Sequence, residues 1–420
     1  MSDYTHVDVY SIQSSKKSGM PCGDVLATLR TSTGTTIICA DGIGSGIRAH
    51  IAAQMCVSRL TESLQQELSL RTVFQSVAAA MQACRDPQKP FAAFSIARIR
   101  SDGYATVFSY DAPLPIMVSR QGATVLANRP FPLPGGLAME SNCQLDMGEG
   151  ILLMSDGITQ AGLGIGANTE WTSEGVVRFI NSNISSRLKL TLVPEMLHKE
   201  ALARWKGETQ DNPWLISERS FSPYSPDAAH QATMRISAKD RIKSSGGDDC
   251  SIMLGLCRTG YTVNLLTGPP MDRDNDMPTV KRFLQQPGIK IVCGGTTAKL
   301  VAKYLNVPLE MESEPMSVIA PPRYGIKGIN LVTEGAVTLN QVYNILGEDI
   351  ANLQEDSGVT ELRLLLGVAD KLNIIVGAAD NTANSDISFR QRGVLSRKVL
   401  IPLLAEKLRQ EGKLVNVEYV

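Results

Sequence analysis

The chain has 420 residues, too many for one ordinary core, and its 43% hydrophobic and 20% charged content is that of a water-soluble globular protein of two or three domains. Lys and Arg (41) nearly cancel Asp and Glu (42), and no basic run stands out, which excludes an electrostatic footprint for nucleic acid. No apolar stretch approaches the roughly 20 residues that cross a bilayer, and MSDYTHVDVYSIQ lacks the zones of a signal peptide, so no membrane contact and a cytoplasmic location are expected.

The first segments read as strands with breaks at glycine: 6–13, 24–32 (DVLATLRTS) and 35–42 (TTIICADG). A helix is predicted from Ile43 to about Leu64, with Ile43, Ile47, Ile51, Met55, Leu60 and Leu64 forming its apolar face, and a second over 69–85. Short strands follow: FAAFSIARIRS, YATVFSYDA, LPIMVSRQ, ATVLAN, CQLDMG and GILLMSDG. Two helices bracketed by antiparallel strands predict an α+β layered domain with sheets in the middle. Residues 172–206 read as helix, 207–227 as a polar Pro/Ser-rich loop, and 227–239 as helix again, leading to SSGGDDCSIMLGLC. After about residue 260 strands end in Gly/Pro loops that feed helices, as in IKIVCGGTTAKLVAKYL, and a helix over 394–411 precedes a last strand, LVNVEYV. That alternation predicts an α/β domain over 262–420 behind a first domain over 1–258.

Cysteine and histidine carry no motif. The eight cysteines are scattered without a CxxC, and the four histidines form no HxxxH pair, so a His/Cys zinc site is excluded and any metal must be held by oxygen. The acids do carry one. IICADGIGSG (Asp41, Gly42) and ILLMSDGITQAG (Asp156) are apolar runs that end in aspartate beside glycine. GGDDCSIML (Asp248, Asp249) inverts the order, and CGDV places Asp24 at the head of a strand. Any one of these could be a turn dipeptide. As a set they put acids at the ends of strongly apolar strands, where an unpaired charge costs several kcal/mol. Four converging carboxylates would repel unless cations sat between them, and such hard oxygen ligands suit Mg2+ or Mn2+.

The ordered set GD…ADGIGSG…SDGI…GGDDCSIML resembles the PPM metal-dependent serine/threonine phosphatases, and DGIGSGIRAH resembles their SpoIIE branch; FSYDAPLPIMV and FPLPGGL are similar to the family's central sheet segment and the Leu/Gly turn after it. The resemblance covers residues 8–258. It implies a PPM-type layered β-sandwich flanked by helices, ahead of the smaller α/β domain that the alternation predicts, and two bound divalent cations, Mn2+ or Mg2+. By the same resemblance Asp41 bridges both ions, the Gly42 carbonyl and Asp24 hold the second, and Asp156 and Asp248 hold the first. Asp249 lies beside them, and Cys250 is structural. Two-metal chemistry then activates a water for in-line attack on a phosphoryl group, with no covalent phosphoenzyme. The implied substrate is a phosphoserine or phosphothreonine protein, of the kind of an anti-sigma-antagonist, and a homodimer is possible. A pseudophosphatase that only binds partners is the alternative.

The family's usual phosphate-gripping arginine has no counterpart here; Lys16 and Lys17 are the nearby cations, in a polar loop. Cys22 and Cys39 are read as packing thiols that could lie near the site, and His50 as making a local structural hydrogen bond, with a general acid near the metals as the alternative; the long segment after Asp156 could hold a flap with Trp205 and Trp214 that contacts the phosphoprotein, Trp205 being read first as a packing residue. In the second domain GGTT (294–297) places backbone N–H groups at a helix start, and TGPP, TEG and GAADN close other strands, so a small-ligand sensor or a partner-docking module is a further expectation, with tight turns capped by threonine as the alternative; GGTT lacks the GxGxxG and GxxxxGKS patterns, and no nucleotide site is predicted.

Overall fold

A computed structural model of the chain describes residues 4–16, 19–44, 46–66, 68–84, 91–133, 136–163, 171–184, 189–207, 247–313, 323–348, 357–379 and 394–420. The helix expected over 227–239, the loop from 208 onward and Trp214 lie outside the described residues. The chain divides into two units, one formed within residues 1–259 and one within 260–420.

The first unit opens with β1 (Thr5–Ser14), β2 (Asp24–Thr31) and β3 (Gly34–Gly42), then α1 (Ile47–Gln65) and α2 (Leu70–Ala83). The strands β4 (Ala92–Arg100), β5 (Tyr104–Tyr110), β6 (Ile116–Ser119), β7 (Gly122–Val125), β8 (Asn128–Leu133), β9 (Gly136–Gln144) and β10 (Gly150–Met154) follow. A one-turn α3 (Asp156–Thr159), α4 (Thr172–Asn183), α5 (Val193–Trp205) and β11 (Cys250–Thr259) complete it. The stretch expected as helix over 172–206 is thus two helices. The strands form a six-stranded sheet, β2-β3-β4-β5-β9-β8, and a five-stranded sheet, β1-β11-β10-β6-β7.

Period-two alternation assigns the faces. Ile37, Cys39, Ile151, Leu153, Val7 and Met253 point into the layer between the sheets. Ile38, Ala40, Phe94 and Phe108 point the other way, onto α1 and α2. Leu152, Met154, Ile252 and Leu254 point onto α3, α4 and α5. The result is helix, sheet, sheet, helix: the α+β layered sandwich flanked by helices. Phe74 from α2 stacks on Phe108 at 5.0 Å between ring centres and tilts against Phe94 at 5.2 Å, each burial contributing about 2–3 kcal/mol.

Two expectations are corrected. The apolar face of α1 is not the isoleucine row. Ile43, Ile47, Ile51 and Met55 are 45–60% exposed, and the buried face is Ala49, Ala52, Ala53, Cys56, Val57, Leu60 and Leu64. The helix starts at Ile47 and lies so close to β3 that a Cβ on Gly42 would stand 1.8 Å from the Ala49 carbonyl oxygen, so only small residues fit beneath its first turns. The second concerns CQLDMG, which keeps only Cys143 and Gln144 in a strand, at the end of β9. In FPLPGGL the first three residues end β8 and the last two begin β9, and Pro130 and Pro132 are tolerated because β8 is an edge strand.

The second unit holds β12 (Thr262–Thr267), α6 (Asp276–Gln285), β13 (Ile289–Cys293), α7 (Gly295–Leu305), β14 (Glu310–Ser313), β15 (Arg323–Gly325) and β16 (Leu331–Thr333). It continues with α8 (Ala336–Ile345), α9 (Gly358–Val368), β17 (Lys371–Val376), α10 (Arg397–Gln410) and β18 (Leu414–Tyr419). Strand order is β14-β15-β16-β13-β12-β17-β18, with β16 through β18 parallel and β14–β15 an antiparallel edge. Numbered along the chain, the parallel strands run 3-2-1-4-5. Helices α6 and α7 cover one face, and α8, α9 and α10 the other. Among the described residues no helix is long and apolar enough to cross a membrane.

Candidate metal centre

Strand register brings the first two acids together. Antiparallel pairing of β2 with β3 sets Asp24 directly opposite Asp41, and both belong to the face that carries Leu26 and Cys39 into the inter-sheet layer. In the other sheet, β10 ends at Met154 and β11 begins at Cys250 beside it, so Ser155, Asp156, Asp248 and Asp249 gather at the same end of that layer. Asp156 does not end a strand, as its motif suggested; it is the first residue of α3.

The carboxylates feel one another. Burial, then the charges of Asp24 and Asp156, push Asp41 far above the usual carboxylate range. Burial also raises Asp24; Ser251 and Ser155 hydroxyls oppose the rise, and Asp249 adds to it. Asp248 is raised by burial and by Asp156, against the Asp249 amide and Lys16. Asp24 is 1% exposed, and neither of its oxygens has a hydrogen-bond partner of normal geometry. A deeply buried carboxylate met only by two serine hydroxyls, and facing Asp41 and Asp249, fits a cation held among the acids.

The other acids are partly engaged. Asp156 Oδ2 accepts from Gln160 Nε2 at 3.0 Å, and Asp248 Oδ1 accepts from the Asp249 amide at 2.9 Å with Lys16 Nζ 3.6 Å away. Asp249 is a brace: its Oδ1 accepts the Lys16 amide at 2.6 Å and its Oδ2 the Gly23 amide at 2.8 Å, tying the loop before β2 to the head of β11. Cys22, Asp24 and Asp249 present donor atoms within 4.8 Å of one another. Cys22 donates to Ser14 O, and burial with the charges of Asp24 and Asp249 raises its thiol.

Backbone fit completes the site. Gly42 N–H donates to Gly23 O at 3.3 Å, and a Cβ on Gly23 would meet Asp249 Oδ2 at 2.7 Å. His50 Nδ1 lies 2.8 Å from Cys22 O, a structural bond that ties α1 to the same loop. Trp205 Nε1 donates to Gly157 O at 2.8 Å and packs on Gly247, bracing the turns that carry Asp156 and Asp248. Cys39 sits buried behind Asp24 and Asp41. Asp249 as a brace and Lys16 at the rim are what sequence reading underweighted. The doubled acid of GGDD was the available signal for the first; nothing in a polar loop marks the second.

The model of the family described as stage II sporulation protein E (SpoIIE) matches residues 31–215. Over that stretch the chain is similar to the SpoIIE family. The match holds Asp41, Gly42 and Asp156, while Asp24 and Asp248 lie outside it and reach the SpoIIE-type core through β2 and β11. Among solved structures, the phosphatase domain of the cell fate determinant SpoIIE from Bacillus subtilis is similar over 61% of this chain and 94% of that one, at 14% identity and a TM-score of 0.41. The RsbU and RsbW domains of a Mycobacterium tuberculosis protein are similar over 67% and 69%, at 12% identity and a TM-score of 0.41. The SiaA-PP2C domain of Pseudomonas aeruginosa is similar over 59% and 85%, at 12% identity and a TM-score of 0.42. No curated protein sequence matches the chain.

Proposed function

We propose that the first unit is a metal-dependent protein phosphatase that hydrolyses phosphoserine or phosphothreonine on a regulatory protein. The observation that carries this reading is the chain of acids at one end of the inter-sheet layer: the buried Asp24 carboxylate opposite Asp41, Asp41 against Asp156, and Asp156 against Asp248. Two divalent cations, Mn2+ or Mg2+, would be held by Asp41 between them, by Asp156 and Asp248 on one side, and by Asp24 and the Gly42 carbonyl on the other. When bound, the ions supply electrophilic charge for the phosphoryl oxygens and an activated water near neutral pH. The protein's own groups set the stage. Asp249 and His50 fix the loop that carries Asp24, Trp205 fixes the turn that carries Asp156, and Lys16 sets one positive charge at the rim beside Asp248, where an incoming phosphoryl group gains from it. The four acids standing together speak against a pseudophosphatase, because losing any one is the simplest route to inactivity. An anti-sigma-antagonist-like phosphoprotein is the partner class this reading favours.

The test is hydrolysis of an aryl phosphate with Mn2+, with chelator, and in Asp41→Asn. Metal-dependent turnover lost in the variant supports the reading. No turnover together with no Mn2+ bound by calorimetry sinks it and leaves a binding module.

A further inference from the structure

The second unit carries a feature that the phosphatase reading does not use. In a parallel sheet of order 3-2-1-4-5, the strand carboxyl ends form the edge where ligands gather. Here Thr267, Cys293, Thr333 and Val376 stand level at that edge, fixed by the β12–β13, β13–β16 and β12–β17 registers. Four helices start beside it, α6, α7, α8 and α10, the last opening at Arg397. The approach to α6 is acidic, with Asp272, Asp274 and Asp276, and the α8 start is already served by Glu334, whose Oε2 accepts the Val337 amide. Helix α7 differs: it begins at Gly294-Gly295-Thr296-Thr297, with no side-chain cap and no acid in its first turn.

Two observations point from this turn to a ligand. Thr297 is 1% exposed and its Oγ1 has no hydrogen-bond partner. That oxygen lies 3.3 Å from where a Cβ on Gly294 would stand, so it faces back over the turn that opens the helix. A buried hydroxyl without a partner costs about 1–3 kcal/mol unless something arrives to meet it. Access is open on the other side, because a Cβ on Gly295 would meet nothing within 4 Å. One strand over, the edge carries a cation: the Arg397 guanidinium lies on Gly268 and donates to Ala379 O at 2.9 Å. Thr267, which ends β12 there, has a second buried hydroxyl without a partner.

We infer that this edge binds a small phosphorylated metabolite. The backbone N–H groups of Gly295, Thr296 and Thr297 and the Thr297 hydroxyl take the phosphoryl oxygens, and the body of the molecule extends toward Gly268 and Arg397. Several donors around one point match a terminal phosphoryl group, whose oxygens accept in several directions. The unit thereby becomes a ligand-reading module on a phosphatase.

The test uses the full chain in chelator, so that the aspartate cluster holds no metal and cannot itself bind phosphate through one. Inorganic phosphate and AMP are titrated by calorimetry into the wild type, Thr297→Val and Gly295→Asp, and hydrogen exchange is followed over residues 294–301. Thr297→Val keeps the shape and removes the hydroxyl; Gly295→Asp puts a carboxylate into open space at a helix start, where it favours the helix and repels the anion. The expected result is binding that protects 294–301, is weakened about tenfold by Thr297→Val, and is lost in Gly295→Asp at an unchanged or higher melting temperature. Equal affinity for the two probes would mean that only the phosphoryl group is read, and tighter AMP that the nucleoside is read too; both support the inference. Neither probe binding at millimolar concentration, or binding indifferent to both variants, overturns it.

Discussion

Replacing Asp24 by Asn should stabilise the metal-free protein. Burial lifts this carboxyl from 3.8 to about 6, and at 1.36 kcal/mol per unit that difference is about 3 kcal/mol. The sign follows from linkage. A carboxyl whose pKa is higher in the folded state keeps its proton there while the unfolded chain has lost it. Folding stability therefore falls as pH rises from about 4 to about 6 and stays reduced above. Asn carries no charge, so the penalty disappears, and the charge that raises Asp41 goes with it. At pH 8 in chelator, Asp24→Asn should gain about 3 kcal/mol, or a urea midpoint about 1 M higher for a slope near 3 kcal/mol/M. Near pH 3.5 the gain should vanish. All three tryptophans (171, 205 and 214) precede residue 260, so tryptophan fluorescence reports the first unit alone. With Mn2+ the ranking should reverse, because the wild type gains metal-binding energy that the variant loses. A variant less stable than wild type at pH 8 in chelator would refute the reasoning and show Asp24 to be an ordinary structural carboxylate.

Gly42→Ala should lower the melting temperature of the first unit by about 6–12 °C, as expected for about 3 kcal/mol of overpacking against the Ala49 carbonyl, in a scanning fluorescence melt. Asp249→Ala strips the Lys16 and Gly23 amides of their acceptor; Mn2+ affinity measured by calorimetry should fall about 10–100-fold although no predicted ligand is touched. His198 is buried against Ser14 with its pKa pushed down to about 4, so wild-type stability should rise between pH 4 and 6.5. In His198→Gln that slope should shrink by about 3 kcal/mol over the window in urea titrations at stepped pH. Asp41→Asn should retain the fold by circular dichroism and lose Mn2+-dependent hydrolysis.

Much of the site was legible because acids at the ends of apolar strands are rare without cause, and ADG and GGDD stood out against Ile37–Ala40 and Ser251–Leu254. The layered fold followed from the strand run, and the alternation after residue 260 followed from its Gly-terminated strands. What escaped has physical reasons. Helix α1 hides its packed face in alanines, which a search for large apolar residues passes over, so the isoleucine row was taken for the core side. The start of α5 was signalled by Pro194 in its first turn, which reading 172–206 as one helical stretch passes over. Pairing partners, and with them Asp24 opposite Asp41, are set by register, which one strand read alone does not disclose.

The pairing of β1 with β11 sets a schedule for biosynthesis. Residues 5–14 lie along residues 250–259, the longest-range ladder of the first unit. A ribosome adding about 5–20 residues per second needs roughly 10–50 s to pass from one strand to the other. Through that interval β1 has no partner in its sheet, and Asp248 has not yet joined Asp24 and Asp41. The six-stranded sheet with α1 and α2 can gather early from near neighbours, while the second sheet waits for its last strand. The first unit is thus completed late, within the time in which the second unit begins to emerge.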